Sequence, residues 1–332
     1  MESTKPTCFV PPGVVLPSNS TDKIVIPKVE LYITNVCNLT CHRCNRFNDH
    51  NFKGWQRWSD YEAIYEQWAD TVQINSLVIL GGEPLLNPTI IDWIKGINRI
   101  FEKSVQILSN GTRLNSTPGL YETLSEYTKS NDGTKNWIGI SLHNSNELDW
   151  YLNEVRTFLK GKIEYREDKT ILNNAGNSWT GGADYWFSDE NDVKILLHWS
   201  DSFVNAAVHT GKNGRLTLHN NDVFLAHQTC GFAQFKCYHF IKGKLYKCGP
   251  VALFPEFDQQ HNLDISDEDR VLVNSYRPLS IDEFAKRGRQ FLGTIDEPIP
   301  QCKFCHATPD LKQEQIFAIR KGSHGKNTSN TG

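Results

Sequence analysis

The run Cys37-Asn-Leu-Thr-Cys41-His-Arg-Cys44 places three thiols within eight residues. Thiolates are the usual ligands of iron–sulfur clusters, and a four-iron cluster takes four of them. Three cysteines with no fourth nearby predict a cluster with one iron open to a ligand that is not protein. Zinc and plain structure are the competing readings of so short a cysteine group. A second group lies far downstream at Cys230, Cys237, Cys248, Cys302 and Cys305, and Cys8 stands alone. The N-terminus has neither a basic start nor an apolar stretch of the kind that directs secretion. These thiols are therefore expected to stay reduced in the cytoplasm, and two metal sites are the economical reading.

The elements that must position these thiols follow from the hydrophobic pattern. An alternating run, Val29-Glu-Leu-Tyr-Ile-Thr34, immediately precedes Cys37 and reads as a strand. Further strands are expected at 76–80, 104–109, 136–143, 162–166 and 192–199. Helices are expected between them at about 89–101, 119–129 and 146–160, with another starting at Ser59 as N-cap and Glu62 three residues on. Alternating strands and helices predict an α/β fold with a parallel sheet, and six units predict a partial (β/α)6 TIM-like barrel. Residues 168–191 lack a period and read as a long functional loop, in which Trp179 and Trp186 are candidates for lining a substrate cavity. From about 216 the texture changes: Cys237–Cys248 reads as a hairpin turning at Lys242-Gly243-Lys244, with a helix near 280–292. The expected divisions are an extended lead-in at 1–25, the barrel at 26–215, a small C-terminal domain at 216–310 and a polar, partly disordered tail at 311–332.

One more motif sits at a strand end. Gly81-Gly82-Glu83-Pro84 follows the second expected strand, where ligands of parallel α/β folds bind. Its glycines would let backbone approach a ligand, and Glu83 would offer a carboxylate to an ammonium group. Cys37-x3-Cys41-x2-Cys44 after a first strand, with Gly-Gly-Glu-Pro after the second, resembles the radical S-adenosylmethionine enzymes over roughly residues 26–200. The resemblance implies that Cys37, Cys41 and Cys44 hold a [4Fe–4S] cluster whose open iron takes the amino and carboxylate groups of S-adenosylmethionine. Gly81, Gly82, Glu83 and Pro84 would bind that amino group. Ser109 and Asn110, ending the third strand, and Ser141 and His143, ending the fourth, would approach the rest of the cofactor. Reductive cleavage would give a 5′-deoxyadenosyl radical that abstracts a hydrogen atom from substrate, with no side chain assigned as catalytic. One departure is Arg43, which stands where the family often has an apolar or aromatic residue near adenine.

The second group resembles the "twitch" extension, the shorter relative of the SPASM domain. The spacing Cys230-x12-Gly243-x4-Cys248, followed by Cys302-x2-Cys305, implies one auxiliary four-iron cluster on Cys230, Cys248, Cys302 and Cys305, with Cys237 as alternate ligand. Zinc on the same thiols is the alternative. Haem attachment at Cys302-Lys-Phe-Cys305-His306 is disfavoured without an export signal. The implied activity is modification or oxidation of a peptide or small molecule, with flavodoxin or ferredoxin as the external one-electron reductant. A non-catalytic iron–sulfur or zinc protein on the same scaffold is the second reading. A net charge of −3 points to no nucleic-acid partner, and apolar runs are too short to span a membrane.

Overall fold

The computed structural model describes residues 23–41, 43–126, 135–168, 184–199, 207–234, 237–307 and 319–320. Cys8, Trp179 and the 1–22 part of the lead-in fall outside them.

Nine strands build one sheet: β1 (Ile24–Tyr32), β2 (Val72–Leu80), β3 (Val105–Ser109), β4 (Trp137–Leu142), β5 (Glu164–Asp168), β6 (Asp184–Ser188), β7 (Lys194–Trp199), β8 (Cys237–Ile241) and β9 (Lys244–Tyr246). Their spatial order is β9-β8-β1-β2-β3-β4-β7-β6-β5. The run from β8 to β7 is parallel throughout. This is a mixed α/β fold with the parallel sheet of a partial TIM-like barrel. Six parallel strands are present as expected, but their membership differs. The 162–166 strand is antiparallel and pairs with β6, which lies inside the expected 168–191 loop. The sixth parallel strand is instead β8, from the stretch expected to form a separate domain.

Helices α1 (Glu62–Thr71), α2 (Ile90–Phe101), α3 (Leu120–Glu126) and α4 (Leu148–Phe158) cover one face of the sheet. α2 shows why: Ile90, Trp93, Ile94 and Ile97 recur at helical spacing and are all buried. Along β1 the pleat sends Val29 and Leu31 into this core and Glu30 and Tyr32 to the other, concave face. The α1 start departs from expectation. Trp58 stacks on Tyr65 at 5.9 Å and meets Trp93 edge-on at 5.0 Å, which bends Trp58–Asp60 into a tight 3-10 turn. Ser59 therefore makes no cap, and the helix begins beyond Tyr61. Gly96 of α2 lies beneath that indole, so a Cβ there would come within 2.1 Å of Trp58 Cζ2. Gly96→Ala should thus destabilise by about 1–3 kcal/mol despite the better helix propensity of alanine, read from urea midpoints.

The C-terminal part adds α5 (Val223–Gln228), α6 (Gly231–Gln234), α7 (Gly249–His261), α8 (Asp267–Asn274) and α9 (Phe284–Gly293). It shares a core with the concave side: Phe47, three residues past Cys44, packs on Phe254 at 5.8 Å and Phe257 at 4.9 Å. Tyr32, Val78, Leu80 and Ile241 belong to the same cluster. Ile319–Arg320, in the expected tail, pair antiparallel with Leu39–Thr40 inside the first cysteine loop. Among the described residues no helix is long and apolar enough to cross a membrane.

Candidate cofactor-binding site

The chain leaves β1 and turns into the first cysteine loop at the carboxyl edge of the sheet. Tight turns close the loop: Cys44 N–H donates to Cys41 C=O at 3.2 Å, and Phe47 N–H to Cys44 C=O at 3.0 Å. Arg43 takes a left-handed backbone with φ 58°. Cys41 is buried, with Cys37 and Cys44 packed around it and Leu39. Cys37 Sγ accepts from Leu39 N–H at 3.4 Å and from Asn110 Nδ2 at 3.7 Å. Burial pushes the Cys44 thiol up.

The Gly-Gly-Glu-Pro stretch proves to be built around this loop. Gly82 N–H donates to Thr34 C=O at 2.7 Å and Glu83 N–H to Val36 C=O at 2.8 Å, so the end of β2 grips the residues leading into Cys37. A Cβ on Gly81 would lie 2.5 Å from Thr34 O, and one on Gly82 would lie 2.4 Å from Val36 O. Both glycines are required by this backbone approach, whatever else they contact. Glu83 is fully buried, which redirects the role expected for its carboxylate. Oε1 accepts from Leu85 N–H at 3.0 Å and Ser109 Oγ at 2.8 Å, and Oε2 accepts from Asn110 N–H at 2.6 Å. The side chain thereby ties β2 to the end of β3 and, through Asn110, to Cys37. Asn110 Nδ2 also donates to Asn38 Oδ1 at 2.9 Å. Gly81 to Pro84, Ser109, Asn110 and the first cysteines are thus one connected site.

Burial raises the Glu83 carboxyl to about 7, against the three donors that favour its ionised form. A carboxyl raised on folding stabilises most below its ordinary value of 4.5, and that contribution is lost as pH rises through about 7. Stability should fall by on the order of 3 kcal/mol across this window beyond what other groups contribute. Glu83→Gln should flatten that slope in urea unfolding at pH 5 and pH 7.5, while costing about 1–3 kcal/mol because its amide faces the Asn110 N–H.

Ser141 and buried His143 end β4 on the concave face. Ser141 sits in register with His198 of β7, whose Nδ1 is held by Asp184 of β6. The sequence alone gave no sign of that imidazole–carboxylate pair, because Asp184 lies in the stretch with no visible period, 14 residues before His198. Trp186 is accounted for structurally: its ring lies 6.0 Å from Trp137, with the Arg166 guanidinium 5.7 Å over it.

Cys230, Cys248, Cys302 and Cys305 line one cavity of about 40 Å³, with apolar walls that include Val251 and Ile295. Cys248 caps α7, and Cys302 and Cys305 share the turn at Pro300–Phe304. Burial raises all four thiols, and Cys248 is raised further by the charges of Cys305, Cys230 and Cys302. These thiols therefore converge closely enough to interact. Yet among the described residues only Glu30, Cys237 and His239 bring three ligand atoms within 4.8 Å of one another. Four thiols around one cavity are a donor set that could hold either a zinc ion or an iron–sulfur cluster. Cys237, the expected alternate, does not line this cavity: it lies buried on β8 beside Glu30. Glu30 is already paired to Arg46 at 2.7 Å and near Lys28 at 3.9 Å, which balances its charge without a cation.

Fold and site define a parallel α/β protein that carries a Cys-x3-Cys-x2-Cys loop at the carboxyl edge of its sheet, gripped by Gly-Gly-Glu-Pro. Residues 31–176 match the model of the Radical SAM superfamily, and over this stretch the chain is similar to that superfamily. That superfamily is one of enzymes whose radical chemistry uses a four-iron cluster and S-adenosylmethionine. The probable GTP 3′,8-cyclase of Methanothermobacter thermautotrophicus is 30% identical over 89 residues, 27% of this chain and 29% of that protein. Streptococcus suis SuiB bound to S-adenosylmethionine aligns with a TM-score of 0.31 and 20% identity, over 40% of this chain and 29% of SuiB. SuiB bound to the precursor peptide SuiA gives 0.30 and 21%, over 39% and 27%. The chain therefore spans less than a third of each of these proteins.

Proposed function

We propose that this protein is a two-cluster radical S-adenosylmethionine enzyme that abstracts a hydrogen atom from a peptide or a small molecule and oxidises or otherwise modifies it. The observation that carries the two-cluster reading is the cavity lined by Cys230, Cys248, Cys302 and Cys305. Cys37, Cys41 and Cys44 would hold the first cluster, and the four cavity thiols the second, in the manner of a twitch extension. When bound, the first cluster supplies the electron that cleaves S-adenosylmethionine to methionine and a 5′-deoxyadenosyl radical.

The chain's own residues do the positioning. Backbone groups at Gly81–Pro84 would hold the methionine end of the cofactor, since the Glu83 carboxylate is taken up by Ser109, Leu85 and Asn110. Ser141 and His143 line the concave face where the ribose and adenine would lie. His198, held by Asp184, stands beside them as a polar contact for substrate. An external flavodoxin- or ferredoxin-type reductant would deliver the electron.

Anaerobic reconstitution with iron and sulfide, followed by metal analysis and a 5′-deoxyadenosine assay under dithionite, tests the proposal. About eight irons and 5′-deoxyadenosine formation are expected. Four irons with stoichiometric zinc would replace the second cluster by a zinc site. Full iron without cleavage would leave a non-catalytic iron–sulfur protein.

A further inference from the structure

Arg46 lies where the two cysteine groups meet. It follows Cys44 by two residues, and its guanidinium contacts Phe232, two residues past Cys230, and Gly249, the residue after Cys248. The guanidinium is buried between the rings of Tyr32 and Phe232, 5.6 and 5.4 Å from their centroids. Its Nη2 donates to Glu30 Oε2 at 2.7 Å, and its Nη1 is buried without a hydrogen-bond acceptor. That free nitrogen points at the first residue of α7, so closely that a Cβ on Gly249 would fall 2.1 Å from it. A cation and an unfilled buried donor at a helix N-terminus repel the positive end of the helix unless an anion sits nearby. Cys248, the capping residue, is where that anion would be bound.

We propose that Arg46, held in place by Glu30, is a positioning residue that couples the two cysteine sites and sets the reduction potential of the cluster on Cys248. The inference rests on the two-cluster reading above. Reduction adds a negative charge to a cluster, and a buried cation beside it favours the reduced form. Glu30 opposes this from the far side of the guanidinium, so the pair presents its positive end to α7.

Two substitutions therefore have opposite signs. In potentiometric titrations followed by electron paramagnetic resonance, Arg46→Gln should lower the midpoint potential of the auxiliary cluster, and Glu30→Gln should raise it. Gly249→Ala, which displaces the guanidinium without removing it, should lower the potential as Arg46→Gln does. Arg46→Lys should fall between wild type and Arg46→Gln. Iron content is measured for every variant, so a variant that fails to load both clusters is set aside and the remaining three decide the sign. Shifts of one sign for both Arg46→Gln and Glu30→Gln, or no shift in the loaded variants, would overturn the coupling while leaving the two clusters in place. A wild-type count of four irons would overturn the two-cluster reading itself, and the coupling with it.

Discussion

Alanine at Cys37, Cys41 or Cys44 should abolish 5′-deoxyadenosine formation and remove about four of the irons that reconstitution installs. The effect is expected to be complete, because each thiolate would hold a separate iron and no other cysteine among the described residues packs with this group. The fold should survive the substitution. The three thiols pack against one another and Leu39 in a small cluster apart from the two large cores, so little apolar burial is lost. Urea midpoints of the metal-free variants should stay close to that of the metal-free parent. Retained cleavage of S-adenosylmethionine in any of the three would refute the assignment of the radical-forming cluster.

Gly82→Ala should be nearly as damaging, for a reason that involves no ligand. The new methyl would sit 2.4 Å from Val36 O and 2.7 Å from Val36 C, and neither backbone atom can rotate aside. The strand end must separate from Thr34–Val36, which breaks the 2.7 Å bond from Gly82 N–H to Thr34 C=O and displaces Cys37. Overpacking of this kind costs about 1–3 kcal/mol in an ordinary core, and here the strain falls on the first cysteine loop. The expected result is loss of most first-site iron with the auxiliary iron retained. Gly293→Ala is the control: nothing lies within 4 Å of its Cβ position, and iron content should not change. Equal iron in Gly82→Ala and wild type would show that the loop tolerates a displaced strand end.

The parallel sheet, its first strands and the Cys-x3-Cys-x2-Cys loop were legible because short-range patterns determine them: alternation in Val29–Leu31, helical spacing in Ile90–Ile97, and thiols close in sequence. What could not be read were pairings between distant residues. Nothing local says that Cys237–Ile241 joins β1, since an apolar run of five residues suits a free hairpin or a buried parallel strand equally well. The same limit explains Glu83: its charge suggested a ligand contact, but Ser109 and Asn110, 26 and 27 residues on, take up the carboxylate. Glu30 looked like the polar beat of an alternating strand. Its burial depends on Arg46 and on His239, more than two hundred residues later.

The placement of β8 beside β1 has a consequence for how the molecule comes to exist. Until residues 237–241 have left the ribosome, β1 is an edge strand with one row of backbone hydrogen-bonding groups exposed. The strand that leads into the first cysteine loop is thus completed by an element more than two hundred residues downstream, a pairing of high contact order that forms slowly. Phe254 and Phe257, which close over Phe47, arrive later still. The loop that carries Cys37, Cys41 and Cys44 is therefore covered only after more than 190 further residues have been made, and the nascent chain holds those three thiols uncovered until then.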